Sequence, residues 1–221
     1  MPNDLWQAVD GFIEQRLIGA DKALQNATQS AVVAGLPNIS VSATQGKLLF
    51  LLAQMCQARS ILELGTLAGY SAIWLARALA PGGRLVTIEF DPKHAQIAAD
   101  NFRRAGLSDR IDLRIGAALE VLPKLASERA GPFDLFFIDA DKSNTAEYFD
   151  WSLRLARPGS VIIVDNVIRK GAILDPKCAD SDVIGIRRLY DRLAAEPRVE
   201  ATAIQTVGVK GWDGLAIARV K

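Results

Sequence analysis

The stretch Ser60-Ile-Leu-Glu-Leu-Gly-Thr-Leu-Ala-Gly-Tyr-Ser71, followed by Arg84-Leu-Val-Thr-Ile-Glu89 and Pro92-Lys-His-Ala-Gln-Ile97, decides the fold. A short apolar run from Ser60 to Leu64 stops at a glycine and gives way to helical spacing from Ala68 to Leu79. A second apolar run stops at an acidic residue and gives way to helical spacing from Pro92 to Ala105. Strand, helix, strand, helix is the alternation of a parallel sheet with crossover helices.

The alternation continues downstream. Ile111 to Ile115, Phe133-Asp-Leu-Phe-Phe-Ile138 and Ser160-Val-Ile-Ile-Val164 read as strands, separated by helices near Ala117 to Glu128 and Asn144 to Leu155. Strands this uniformly apolar are covered on both faces. Gly82-Gly83, Gly106, Gly131-Pro132 and Pro158-Gly159 punctuate the elements where helices end and turns are tight. Beyond Asp165 come a polar loop, a helix near Asp182 to Ala195, and a terminal hairpin of Val199 to Ile204 with Gly214 to Val220. Upstream, Leu5 to Leu24 and Thr44 to Gln57 show helical spacing, with apolar stripes suited to packing on the sheet or on a second subunit. The expected fold is α/β: a doubly wound, Rossmann-like sheet, mostly parallel with an antiparallel C-terminal strand, plus N-terminal helices. Residues 1–221 read as one domain, with a helical preface over 1–58 and an α/β core over 59–221.

Composition narrows the function. With 26 basic and 25 acidic residues the formal charge is +1, which gives no global attraction to nucleic acid or to a membrane surface. No basic segment followed by an apolar one opens the chain, and Leu48 to Met55 is too short to span a bilayer, so a cytoplasmic location is expected. Cys56 and Cys178 have no metal-site spacing and read as free thiols. The single histidine, His94, reads as a solvated residue at a helix start, which disfavours Ser-His-Asp hydrolysis and zinc chemistry.

In an open α/β sheet, ligands gather beyond the carboxyl ends of the strands near the reversal of strand order. Glu63, Glu89, Asp139 and Asp165 each end or directly follow an apolar run. Four carboxylates on one rim repel unless cations share it. The turn Gly65-Thr-Leu-Ala-Gly69 allows close backbone approach to a nucleotide-like ligand, and Glu89 is placed to accept hydrogen bonds from a ribose diol. A purely structural βα turn is the plain alternative. A dinucleotide enzyme would want a third glycine, which is missing. Asp139, Asp165 and Asn166 offer oxygen ligands, which suit magnesium, manganese or calcium. Lys142 stands where it would accept a proton from a metal-bound hydroxyl once the metal offsets its acidic neighbours, unless it merely pairs with Asp141 at the surface. Tyr148, Trp151 and Tyr190 read as core aromatics, while Trp212 sits in a polar turn and is better placed to line a substrate pocket.

Taken together, Glu63-Leu-Gly-Thr-Leu-Ala-Gly-Tyr-Ser71, Phe137-Ile-Asp-Ala-Asp-Lys-Ser-Asn144, Asp165-Asn166-Val167 and Asp213-Gly214-Leu215 resemble the cation-dependent class I O-methyltransferases, the group of the catechol and caffeoyl-coenzyme A enzymes. The resemblance runs from about Ser40 to the C-terminus and implies a seven-stranded sheet. It implies that Val41, Glu63, Gly65, Thr66, Ser71, Glu89 and Ala118 contact S-adenosylmethionine (SAM), and that Asp139 faces both cofactor and metal. It further implies that Asp165 and Asn166 complete the ligands of a divalent cation, Mg2+ foremost, and that Lys142 and Asp139 are catalytic, with Lys142 as the base. The implied partners are an aromatic hydroxyl acceptor, in particular a vicinal diol, and a second copy of the chain in a homodimer. Thr145 and Ile168-Arg169 depart from the plant-type pattern, and the turn before Asp213 is longer, which leaves the acceptor open. A nicotinamide oxidoreductase and a noncatalytic adenosine sensor are the competing readings.

Overall fold

The computed structural model describes residues 2–221; Met1, the first residue of the expected preface, lies outside the described residues. Three helices come first: α1 (Pro2–Ile13), α2 (Lys22–Val33) and α3 (Ala43–Met55). Then β1 (Ser60–Leu64), α4 (Tyr70–Ala78), β2 (Arg84–Glu89), α5 (Pro92–Arg104), β3 (Ile111–Ile115), α6 (Ala118–Ser127), β4 (Phe133–Ile138), α7 (Thr145–Leu155) and β5 (Ala156–Asp165) alternate. The chain ends with α8 (Ser181–Ala195), β6 (Val199–Gly208) and β7 (Gly211–Val220).

The seven strands form one sheet in the order β3-β2-β1-β4-β5-β7-β6. The first five are parallel, while β7 runs antiparallel to both β5 and β6. Alternate residues explain why both faces are covered. Leu62, Val86, Phe136 and Ile162 pack with α6, α7 and α8, whereas Ile61, Leu85, Leu135, Phe137 and Ile163 pack with α2 to α5. Ile61 and Leu62, adjacent in sequence, are both fully buried. Among the described residues no helix is long and apolar enough to cross a membrane.

Three departures from the expected elements have local causes. The helix expected over Leu5 to Leu24 is broken: a π turn at Glu14–Ile18 is followed by Gly19, and Asp21 starts a new helix. Its carboxylate accepts from the N–H groups of Ala23 and Leu24 and is held by Arg77 at 2.6 Å, a cap that outcompetes continuation. The terminal hairpin runs to Gly208 and Gly211, because ladder pairing carries on past the apolar run, with Thr206 opposite Asp213. Its tip is docked: Val209 N–H donates to Asp10 of α1 at 2.7 Å, and Lys210 Nζ donates to the carbonyl of Asn38 at 3.1 Å. Finally, β5 starts earlier than expected, with Arg157 to Ser160 bulging between two registers against β4.

Asp134 ties the amino ends of three strands together. It accepts from the N–H groups of Arg59 (2.7 Å) and Ser60 (3.0 Å) before β1, and from the Arg157 guanidinium of β5 at 2.6 Å. Burial alone would raise its pKa, but these donors outweigh it and hold the carboxyl below the usual value. Asp134→Ala is expected to lower unfolding stability by about 2 kcal/mol in urea titrations near neutral pH. Since the folded-state pKa is lowered, that difference is present above the unfolded value and shrinks as pH falls through the folded one, below about 4.

Candidate active site

The strand order reverses between β1 and β4, and the informative residues stand at the carboxyl ends on either side of that point. Gly65 makes their approach feasible. Its φ is +91°, and a Cβ there would lie 2.1 Å from the Asp139 carbonyl oxygen. Gly65 N–H donates to Ile88 O at 3.0 Å, and Asp139 N–H donates to Leu64 O at 2.8 Å, so the turns after β1 and β4 are locked together.

On the β1–β2 side, Glu89 closes the glycine turn. Its Oε2 accepts from Thr66 N–H (3.1 Å) and Leu67 N–H (2.7 Å), and Oε1 accepts from Asp91 N–H at 3.0 Å. A carboxylate has about four acceptor positions, so one is left for a ligand hydroxyl, and a second bond from a diol must share with a backbone donor. Glu89 is buried, and His94 is not solvated as expected: its ring is half-buried, with Nδ1 3.6 Å from Glu89 Oε1. Beneath the turn runs a buried polar chain. Thr87 donates to Glu63 Oε2 at 2.6 Å, so Thr66, 2.6 Å from the Thr87 hydroxyl, is the donor of that second bond. Glu63 is fully buried, and its Oε1 has no hydrogen-bond partner among the described residues. Burial pushes its carboxyl up to about 8 against the pull of Ser71 and Thr87, with the charges of Asp139 and Glu89 adding to the rise. Val41 precedes α3, whose Ser42 and Gln45 form a capping box, and Ala118 opens α6 across the rim.

On the β4–β5 side, Lys142 is buried and its Nζ donates to Asp139 Oδ1 at 2.8 Å. The surface pair with Asp141 does not form. Asp141 instead accepts from Asn144 Nδ2 at 2.6 Å and from the Tyr148 hydroxyl, and so fixes the short 3-10 turn Lys142–Asn144. Gly185 of α8 supports the same turn from behind, since a Cβ there would lie 2.1 Å from the Lys142 carbonyl oxygen. Asp165 is 3% exposed. Burial, then the charge of Asp139, pushes its carboxyl up to about 7 against the pull of Lys142. Asn166 follows with φ +60°, an uncommon backbone for a residue other than glycine. The loop is held by Asp213, whose Oδ1 accepts from the N–H groups of Ile168 (2.9 Å), Arg169 (3.1 Å) and Gly214 (3.0 Å). Asp165 and Asn166 line an open cavity of about 480 Å³, bounded also by the loop at Asn38 to Ser42 and the tip of the β6–β7 hairpin.

Glycine turn, strand-end carboxylates and buried lysine thus occupy one rim at the reversal of strand order. The sequence pattern of the O-methyltransferase family matches residues 18–221. The chain belongs to the SAM-dependent O-methyltransferase family. It is 54% identical to a catechol O-methyltransferase of Niastella koreensis over the whole of both chains. It superposes with a TM-score of 0.98 on an O-methyltransferase from Bacillus cereus in complex with SAH, at 53% identity over 99% of each chain. The O-methyltransferase TomG from Streptomyces achromogenes, in complex with SAM, gives 0.97 at 48% identity, covering 100% of this chain and 99% of that one. Membership of the family sets aside the nicotinamide and sensor readings.

In this O-methyltransferase, several residues that organise the rim escaped the sequence reading. Thr87 is one polar residue in an apolar strand, a signal that could have been read, since a buried threonine needs a partner. Gly185 gave no signal, because a glycine inside a helical pattern does not say what it faces. Gly185→Ala is expected to lose about 2 kcal/mol of stability, as the helix must back away from Lys142, while Gly11→Ala, with nothing within 4 Å, is expected to be neutral or stabilising. Thermal unfolding of the two variants measures the contrast.

Proposed function

We propose that this O-methyltransferase transfers the methyl group of SAM to one hydroxyl of a vicinal aromatic diol, with a divalent cation held by Asp139, Asp165 and Asn166. The observation that carries this reading is the burial of Asp165 beside Asp139, with its carboxyl pushed up to about 7. Two carboxylates that resist being charged together favour a bound cation, and a donor set of oxygens alone suits Mg2+, with Mn2+ or Ca2+ also compatible. The name of the Niastella relative, a catechol O-methyltransferase, supports the diol.

The residues divide the work. Glu89, with its remaining acceptor position, would take a ribose hydroxyl, and Gly65 and Thr66 would present the turn to the adenosine side. Glu63, whose buried Oε1 has no partner among the described residues, Ser71, Val41 and Ala118 would complete the cofactor's surroundings. The chemistry a bound cation would supply is acidification and orientation of the acceptor hydroxyl. Lys142 would take the hydroxyl's proton at Nζ, and Asp139 fixes where that atom stands. The rest is alignment, since a sulfonium methyl is electrophilic already and the rigid sheet rim holds both reactants. We read residues 1–221 as one domain and the working unit as a homodimer, to which the exposed Leu5, Val9 and Phe12 of α1 would contribute.

Methyl transfer from SAM to a panel of catechols, flavonoids and hydroxycinnamoyl esters, with and without Mg2+, tests reaction, metal and acceptor together. Chelation and Asp165→Ala are each expected to abolish turnover, and full activity after either overturns the metal assignment. Lys142→Ala is expected to keep SAM affinity, measured by calorimetry, while turnover falls about a hundredfold or more. Unchanged turnover would remove Lys142 from the role of base.

A further inference from the structure

Glu89 is short of one acceptor for the diol assigned to it. Backbone N–H groups already occupy its carboxylate, those of Thr66 and Leu67 at Oε2 and that of Asp91 at Oε1. One position is left, at Oε1, and a ribose brings two adjacent hydroxyls. A second acceptor stands beside it. His94, the single histidine of the chain, holds its Nδ1 3.6 Å from Glu89 Oε1, too far for a hydrogen bond between the two. Two acceptors at that spacing suit adjacent hydroxyls that meet one each.

The start of α5 sets the ring. Asp91 caps that helix through Oδ1, which accepts from Lys93 N–H at 2.7 Å, and Pro92 takes the first helical position. His94 therefore falls in the first turn, with its Nε2 3.8 Å from the second oxygen of the same carboxylate, Asp91 Oδ2. Lys93 ties the turn to the end of α2 by donating from Nζ to the Ala34 carbonyl at 2.7 Å. With its proton on Nε2, facing Asp91, a neutral imidazole carries its lone pair on Nδ1, the nitrogen next to Glu89.

We infer that His94 is a cofactor-binding residue: in its neutral form it accepts one ribose hydroxyl of SAM at Nδ1, while Glu89 Oε1 accepts the other. This rests on the ribose reading of Glu89 above and adds the partner of the second hydroxyl. An imidazolium cannot play this part. Both of its nitrogens are donors, so Nδ1 is lost as an acceptor and its N–H competes for the last position on Glu89. Cofactor and proton therefore exclude one another at His94, in the range where histidine changes charge, about pH 5 to 8. Few charged groups bear on that proton. Glu89 and Asp91 flank the ring, and Lys93 is turned to Ala34. The one charge on α2 is Lys22, at its opposite end, while Asp112 and Arg114 of β3 pair with Arg84, Glu128 and each other. Arg110 binds the Leu79 carbonyl beyond the far end of α5.

The experiment measures dissociation constants of S-adenosylhomocysteine (SAH) and of its 2′-deoxy and 3′-deoxy analogues by calorimetry at about pH 8, above the histidine range. The proteins compared are the parent, His94→Phe and His94→Asn. The parent is expected to bind each deoxy analogue about three- to tenfold more weakly than SAH. His94→Phe, which keeps a ring but no acceptor, should bind SAH more weakly by a similar factor and lose nothing further when one of the two hydroxyls is removed. His94→Asn, whose amide oxygen can stand in for Nδ1, should restore the discrimination. Each comparison lies within one protein, so a general loosening of the turn cancels. In tag-free protein the single imidazole is read directly by proton NMR, and its titration midpoint should fall when SAH binds, as linkage requires of a ligand that prefers the neutral ring. The same losses for both analogues in His94→Phe as in the parent, or a midpoint that rises or stands still, would overturn the inference and leave Glu89 as the ribose acceptor. If the parent binds both deoxy analogues as tightly as SAH, the ribose reading of Glu89 falls and this inference falls with it.

Discussion

The contact on which the rest depends is the close passage of Gly65 beneath the carbonyl of Asp139. A sheet whose order reverses between β1 and β4 leaves a crevice between two turns, and the two halves of a reaction can meet there only if those turns touch. Any side chain at Gly65 would keep them apart. With the gap closed, the polar chain of Glu63, Thr87 and Thr66 and the buried pair of Lys142 and Asp139 become neighbours across a single peptide.

That juxtaposition is electrostatically tense. Glu63 and Asp165 are both pushed well above the ordinary carboxylate range, first by burial and then by the charge of Asp139. The fold tolerates the arrangement because its two apolar layers are anchored elsewhere. The Asp134 cluster fastens the far ends of the strands, and α6, α7 and α8 on one face and α2 to α5 on the other bury both sides of the sheet. The rim can therefore hold groups that would destabilise a smaller core.

Four of the parallel strands were legible because each carries an apolar run bounded by glycine or a carboxylate, and β3 because apolar and charged residues alternate in it; β2, β3 and β4 begin and end where the residues say. Strand ends fall at the rim, so the acidic residues there could be placed without coordinates. Side-chain partners could not. Lys142 has aspartates three residues before it and one residue before it, and only the 3-10 turn decides for Asp139. The N-terminal helix was misjudged at Gly19 because apolar spacing continued across a break created by a cap and a distant arginine, Arg77. The hairpin tip was misjudged for the opposite reason: Gln205, Thr206, Gly208, Gly211 and Asp213 interrupt the apolar run, while the pairing there is made by the backbone.

The place of β7 has a temporal consequence. β7, made after every other strand of the sheet, lies not at the sheet's edge but between β5 and β6, and it brings Asp213 to the loop after Asp165. A ribosome making this protein holds back the strand that joins β6 to the rest and that shapes the loop after Asp165. Until β7 has been made, the nascent molecule exposes the edge of β5, an unpaired row of backbone groups that β7 fills. Competence for chemistry and protection against edge-to-edge association are thus acquired in the same late event.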